Sequence, residues 1–366
     1  MSLRLSLIGL LLVVALSACG GAAGGSSTIL YLSAAAGGTP QLFRRPLGED
    51  TPRQITGVGD PAAPEVIDYA IAPGGERILY ATIDAAGGST LRVVDVDGGE
   101  AAVLLDCPAA ECSGIAWSPD GRRVVYERRP WEDGAYGTPR LYWLDPARGD
   151  TLPLVEGNAT PSYGARFSPD DQWLSYVSPA DEGVVAYRLS DGQQRLFGSR
   201  AGSPAAWSPD SASLVYGDMV AQGHMTAPDT PAGAPIQESS NVFLYRKGVD
   251  GEEDRQRLSP DAAVADSVPA FSPDGTWIAF GRTPANTAAG RQLWLMRADG
   301  SEARALTADP AVTYGPPGWS ADGRSLLYQR YDLNDPAAAP SVWRLDVASG
   351  EVTLLARDAW RPSWLP

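Results

Sequence analysis

The chain has 366 residues, of which 44 are acidic and 29 basic, giving a formal net charge of -15 with a single histidine. A surface of that sign repels nucleic acid and anionic membrane faces, so a nucleic-acid partner is not expected. One histidine and three cysteines also leave little material for an imidazole- or thiolate-based metal centre, and no metal or cofactor is expected.

The opening stretch, MSLRLSLIGLLLVVALSACGG, reads as a targeting signal. Arg4 supplies the positive start, and Leu5 to Leu16 form an apolar run shorter than a membrane span. The Leu-Ser-Ala-Cys that follows is similar to a bacterial lipobox, which implies a lipoprotein signal peptide over residues 1–18 and acylation of Cys19 as the mature N-terminus. Several acyl chains hold a protein at a bilayer far more firmly than one. Residues 19–27 are a Gly/Ala/Ser tether with nothing to bury, whose typical reach is about 16 Å. The expected address is therefore extracytoplasmic and membrane-anchored, on a periplasmic or cell-surface face.

From residue 28 the chain repeats. The stretches IAWSPDGRRVVYE, ARFSPDDQWLSYV, AAWSPDSASLVYG, PAFSPDGTWIAFG and PGWSADGRSLLYQ share one pattern, with a degenerate copy in YAIAPGGERILYA. An anchor (Ile71, Trp117, Phe167, Trp207, Phe271, Trp319) precedes each turn, and a second aromatic (Tyr80, Tyr126, Tyr176, Tyr216, Phe280, Tyr328) follows nine residues later. An apolar run, a Pro-Asp-Gly turn and a second apolar run spell a hairpin. Downstream halves such as LYWLDPARGDTLPLV spell another. Four short strands per unit describe the blade of a β-propeller. Residues 28–57 match the last three strands of a unit and the terminal WRPSWLP matches a first strand, with Trp364 where Trp117 stands and Tyr31 where Tyr126 stands. The expectation is an all-β, seven-bladed propeller over residues 28–366, of four-stranded antiparallel blades, closed by the C-terminal strand joining the N-terminal three. Closure removes the sheet edges an open array would expose.

These [WF]-S-P-D-G hairpins resemble the repeats of periplasmic TolB-type propellers and their WD-repeat-like relatives. The resemblance covers residues 28–366, the propeller part alone, without the α/β domain that precedes it in TolB.

Cys107 and Cys112, the pair left after Cys19, read as a disulfide in an oxidising compartment. The turn aspartates Asp120, Asp170, Asp210, Asp274 and Asp322 suit tight turns better than calcium, which needs several oxygen ligands packed into one loop. Three long connections, 127–140, 218–241 and 329–341, fall on the face opposite the short turns. Binding residues concentrate in loops held by a rigid scaffold, which singles out Trp131, Asp133, Tyr136, Tyr331, Asp332 and Asp335. Arg166 stands where the other units carry a small residue. It can project into the central channel, but pairing with Asp170 or Asp171 is the simpler expectation. His224 lies alone in the longest connection, and no Ser-His-Asp order, HExxH or G-x-S-x-G elbow is present. The reading is a monomeric, non-catalytic propeller that binds an envelope protein or polysaccharide through its long-loop face. Its competitor is a propeller enzyme, lyase or glycosidase in type, acting on a polysaccharide at the channel mouth.

Overall fold

The structure is a computed structural model that describes residues 28–34, 38–60, 62–155, 159–221, 240–251, 254–259, 264–285, 287–335 and 337–366. The signal peptide, Cys19 and the tether lie outside the described residues, as do His224 and most of the 218–241 connection.

The described residues form an all-β propeller of four-stranded antiparallel blades. The first complete unit runs Glu65–Ile71, Arg77–Ile83, Ser89–Asp95, Ala102–Cys107, each strand pairing with the next. The remaining units repeat this plan. The two copies around Trp207 and Phe271 share one eight-stranded sheet through a single parallel bridge, Val242 to Ala265. Among the described residues the helical content is one 3-10 turn, Pro179–Asp181, and no helix is long and apolar enough to cross a membrane.

Burial explains the sequence pattern within a blade. Second strands are covered on both faces by neighbouring blades, so Trp173–Ser178 is buried at every position. Outermost strands meet solvent and carry the exposed Val103, Leu152, Leu196 and Val352. The second aromatic of each repeat is core: Tyr80, Tyr126, Tyr176, Tyr216, Phe280 and Tyr328 are all buried. Each such side chain contributes roughly 1.5–3 kcal/mol by leaving water.

The turn aspartates are structural. Asp120 Oδ1 accepts from Ser118 Oγ at 2.6 Å and from the Arg122 N–H at 2.9 Å, and Ser118 Oγ accepts from the Arg123 N–H at 3.0 Å. The same Ser-to-Asp bond recurs at Asp170, Asp210, Asp274 and Asp322. Turns of this kind are what Pro, Asp and Gly in that order provide.

A second regularity links blades. The anchor indole Nε1 donates to the carbonyl of the residue preceding the anchor one blade earlier: Trp117 to Ala70 at 3.3 Å, and Trp207 to Arg166, Trp319 to Ala270 and Trp364 to Gly318 at 3.0 Å. A phenylalanine anchor, as at Phe167 and Phe271, keeps the packing and forgoes the bond.

The two ends of the described chain meet. Thr28–Ser33 pairs antiparallel with Ala359–Trp364, with Ile29 opposite Trp364 and Ser33 opposite Ala359. The disulfide Cys107–Cys112 is formed and buried, tying the outermost strand of one blade to the innermost strand of the next.

Two expectations about the long connections need correction. The 127–140 segment is largely ordered β-hairpin: Val124–Glu132 turns at Asp133-Gly134 into Ala135–Tyr136. Likewise, Ser213–Ala221 pairs with Ser240–Gly248 well into the 218–241 connection, so the hairpin consumes residues read as loop.

Candidate functional site: the channel mouth

Innermost strands surround a central channel, and four of them are irregular some three residues before the anchor. The pairing slips between Val66 and Asp68, Ser113 and Ala116, Tyr163 and Arg166, and Ser267 and Ala270. Bulges of this kind bend a strand and re-aim its side chains. Gly114 and Gly164 adopt φ of 60° and 67°, the left-handed region open to glycine at no steric cost. A Cβ on Gly114 would lie 2.5 Å from the Glu127 carboxyl, and one on Gly164 would lie 2.4 Å from Pro204. Gly114 thus leaves room for Glu127 on the paired strand of its own blade, and Gly164 lets the next blade close in at Pro204.

The cavity at this level has a volume of about 720 Å³ and is lined by Asp68, Trp117, Glu127, Arg166, Gln329 and Arg361 among others. Asp68 is almost wholly buried. Its carboxylate accepts from the N–H groups of Tyr69 at 2.8 Å and Ile115 at 3.2 Å, and pairs with Arg361 at 2.8 Å. Burial holds this carboxyl above its ordinary value, while Arg361 and the backbone donors pull the other way. Arg361 also donates to the Ile67 carbonyl at 2.8 Å, and its own N–H donates to Gln329 Oε1 at 2.8 Å. The Tyr69 hydroxyl donates to the carbonyls of Leu30 and Arg361, so three strands meet at this corner.

Glu127 is the second buried carboxyl. Its Oε1 accepts from the Gly164 N–H at 2.8 Å, and burial raises it above the usual carboxylate range. The Gly164 N–H and Arg129 pull it back down, and like-charge repulsion from Asp68 adds a smaller push upward. Among the described residues no three His, Cys, Asp or Glu side chains cluster as a metal site would require.

Arg166 corrects an expectation. It does not pair with Asp170 or Asp171: Asp171 holds Arg123 at 3.3 Å, and Asp170 Oδ1 is occupied by Ser168 and the Gln172 N–H. Arg166 instead lines the channel cavity and a second cavity toward the short turns. Its side chain is exposed to the channel, and desolvation by the protein around it lowers its pKa.

The other sequence candidates divide. Tyr331 lies at the rim, its hydroxyl accepting from Gln329 Nε2 and its pKa raised by burial against the pull of Arg291 and Arg361. Trp131 and Tyr136 pack edge to face at 4.6 Å, and the indole sits where a Cβ on Gly87 would be, on the adjacent blade. They form a strut between blades, away from the channel cavity. Asp133 occupies the hairpin turn at φ 53°. Asp332 and Asp335 are exposed and hold local turns, Asp332 through the Asn334 N–H and Asp335 through its own carbonyl. None of these three lines the cavity.

Sequence reasoning missed Asp68, Glu127, Gln329 and Arg361, although the repeat carries a signal for them. Three residues before the anchor the units read Asp68, Gly114, Gly164, Pro204, Val268, Pro316 and Arg361. Immediately after the second aromatic they read Ala81, Glu127, Val177, Gly217, Gly281 and Gln329. The channel's polar residues are those that break otherwise small or apolar columns.

No family model matches this sequence, and no curated protein matches it either. Solved structures do. TolB from Acinetobacter baumannii aligns over 93% of this chain and 67% of its own, with 14% identity and a TM-score of 0.54. A prolyl endopeptidase aligns over 93% of this chain at 13% identity and a TM-score of 0.60, but this chain spans only 49% of that protein. An oligogalacturonate lyase in complex with manganese aligns over 80% of this chain and 73% of its own, at 18% identity and a TM-score of 0.51. At such identities the likeness shows the fold, a TolB-like β-propeller.

Proposed function

We propose that this chain is a lipid-anchored, extracytoplasmic propeller that binds an envelope protein or polysaccharide at the channel mouth without transforming it. Dividing the eight-stranded sheet at its one parallel bridge gives seven groups, five of four strands and two of five, and we read each as a blade. The anchor at Cys19 and the tether would hold the ring close to a membrane, as a monomer.

One observation carries the binding reading. Both channel carboxyls are engaged by structural donors: Asp68 by Arg361 and two backbone N–H groups, Glu127 by the Gly164 N–H. General acid–base work needs a group within reach of the substrate's proton and free to exchange it. Groups committed to holding blades together are better suited to shaping a site. Around them Gln329, Arg361 and Arg166 offer hydrogen bonds and charge to a ligand in a cavity of about 720 Å³, within the size range of ligand sites.

The enzyme reading keeps one specific support, the buried Glu127 carboxyl raised in the channel wall of a fold shared with a lyase. Incubating the purified protein with envelope polysaccharide and peptide fractions, while assaying retention and product together, separates the two. Saturable retention with unchanged ligand is expected. New chain ends or unsaturated sugars, lost in Glu127→Gln, would make it an enzyme.

A further inference from the structure

Six positions directly before the anchors carry Ala70, Ala116, Ala206, Ala270, Gly318 and Ser363; the seventh carries Arg166. A ring of small residues leaves room in the channel, and one guanidinium enters it. Among the described residues no carboxylate lies within ion-pair distance of that guanidinium, although twelve other ion pairs are formed. The nearby candidates are engaged elsewhere: Asp171 with Arg123, Asp68 with Arg361, Glu127 with the Gly164 N–H. In a chain of net charge -15, Arg166 is exposed to the channel with no carboxylate beside it, so its guanidinium is open to an anion that enters.

The cavity beyond it specifies that partner further. On the short-turn side Arg166 borders a space of about 460 Å³ lined by Pro169, Trp207, Pro209, Phe271, Pro273 and Trp319. Every one of these presents an apolar or aromatic surface. A guanidinium fork matches a carboxylate with two parallel hydrogen bonds, and removal from bulk water strengthens them. We propose that Arg166 is an anion-binding residue that takes the carboxylate of an apolar acid, whose hydrocarbon part occupies the Pro- and aromatic-lined cavity. The inference rests on the reading of the channel as a binding site and names the chemistry of the ligand end that reaches deepest. That end can be the C-terminus of a peptide or a free aliphatic acid, which share the chemistry.

The test is calorimetric titration of the full-length protein in detergent with N-acetyl-leucine, its amide and hexanoate. Arg166→Ala should fold, since the bonds from Trp207 Nε1 and Ser175 Oγ go to the Arg166 carbonyl, which the substitution keeps. Its melting temperature without ligand checks this, and Arg166→Gln replaces it if that falls. Saturable binding of an acid, absent for the amide, weakened about tenfold or more in Arg166→Ala and partly restored in Arg166→Lys, is the expected result. Tighter binding of N-acetyl-leucine supports the proposal with a peptide terminus as source, and tighter hexanoate with a free acid. Failure of both acids to bind, equal binding of the amide, or unchanged binding by Arg166→Ala overturns it. Envelope fractions retained by a protein that binds neither acid would sink this inference alone; acids bound without such retention would sink the envelope reading alone.

Discussion

Arg361 Nη2 lies 2.8 Å from Asp68 Oδ1, so an ion pair joins the last strand of the chain to the first complete blade. Asp68 is shielded and Arg361 half exposed, which makes the pair asymmetric. Removing Arg361 strands a buried carboxylate, whereas Asp68→Asn leaves a neutral group with most of its hydrogen bonds. Arg361→Ala should cost about 1.5–3 kcal/mol, the scale of a hydrogen bond to a charged group. The deficit should depend on pH. Burial raises the folded-state value of Asp68 above its unfolded one, and without Arg361 the opposing pull is gone. A group raised in this way penalises the folded state as pH rises through the folded value. Urea melts of Arg361→Ala at about pH 7.5 and about pH 4.5 should therefore show the larger deficit at the higher pH. An equal deficit at both would mean that Asp68 does not titrate in this corner.

The turn aspartates predict the opposite trend. Hydrogen bonds, first from the serine two residues earlier, hold Asp120, Asp210, Asp274 and Asp322 below their ordinary values. Their contribution is present above the unfolded value of about 3.9 and is lost as pH falls through the folded values. Asp120→Ala should lower stability by about 0.5–1.5 kcal/mol near neutrality, with the difference from wild type closing in acid. Ligand binding should be untouched. A loss of binding without loss of stability would give Asp120 a role that its turn bonds do not explain.

The strand Ala359–Trp364 is held by its pairing with Thr28–Ser33, by the Trp364 indole on Gly318 and by Arg361 on Asp68. Deleting residues 361–366 removes most of those bonds and exposes an unpaired edge at Ile29 and Leu30, both fully buried in the intact ring. The truncated protein should lose its cooperative thermal transition in circular dichroism. A transition within a few degrees of the intact chain would refute closure by this strand.

The Cys107–Cys112 bridge closes a short loop at the crossover between blades, and the chain-entropy account assigns it about 2 kcal/mol. Replacing both with alanine should lower the melting temperature measurably. Addition of reductant should shift wild type and leave the variant unmoved; a shift in both would place the redox sensitivity elsewhere.

Anchoring makes its own prediction. Cys19→Ala should move the protein from the membrane to the soluble extracytoplasmic fraction, and continued membrane retention would count against acylation at this residue.

The legibility of this molecule followed the repeat. Anchors, second aromatics and turn aspartates recur in register, so their roles as packing and punctuation could be read without coordinates. The functional candidates could not, because they are the residues that do not recur. Trp131 looked like a free aromatic platform, yet it packs on Gly87, 44 residues upstream on another blade, a contact that only ring geometry creates. Arg166 had acidic neighbours in sequence, but Asp171 is taken by Arg123 of the preceding blade. Asp68 and Arg361 stand 293 positions apart and meet only when the ring closes.

Ligand entry at the channel mouth underlies the proposed function. Its most direct test places a photo-crosslinking residue at Gln329, on the channel rim, and separately at Asp145, in a short turn on the opposite face, in cells producing the full-length protein. A discrete adduct from position 329, absent from position 145 and reduced by Arg361→Ala, is the predicted result. Adducts from position 145 alone, or from both positions without discrimination, would contradict it.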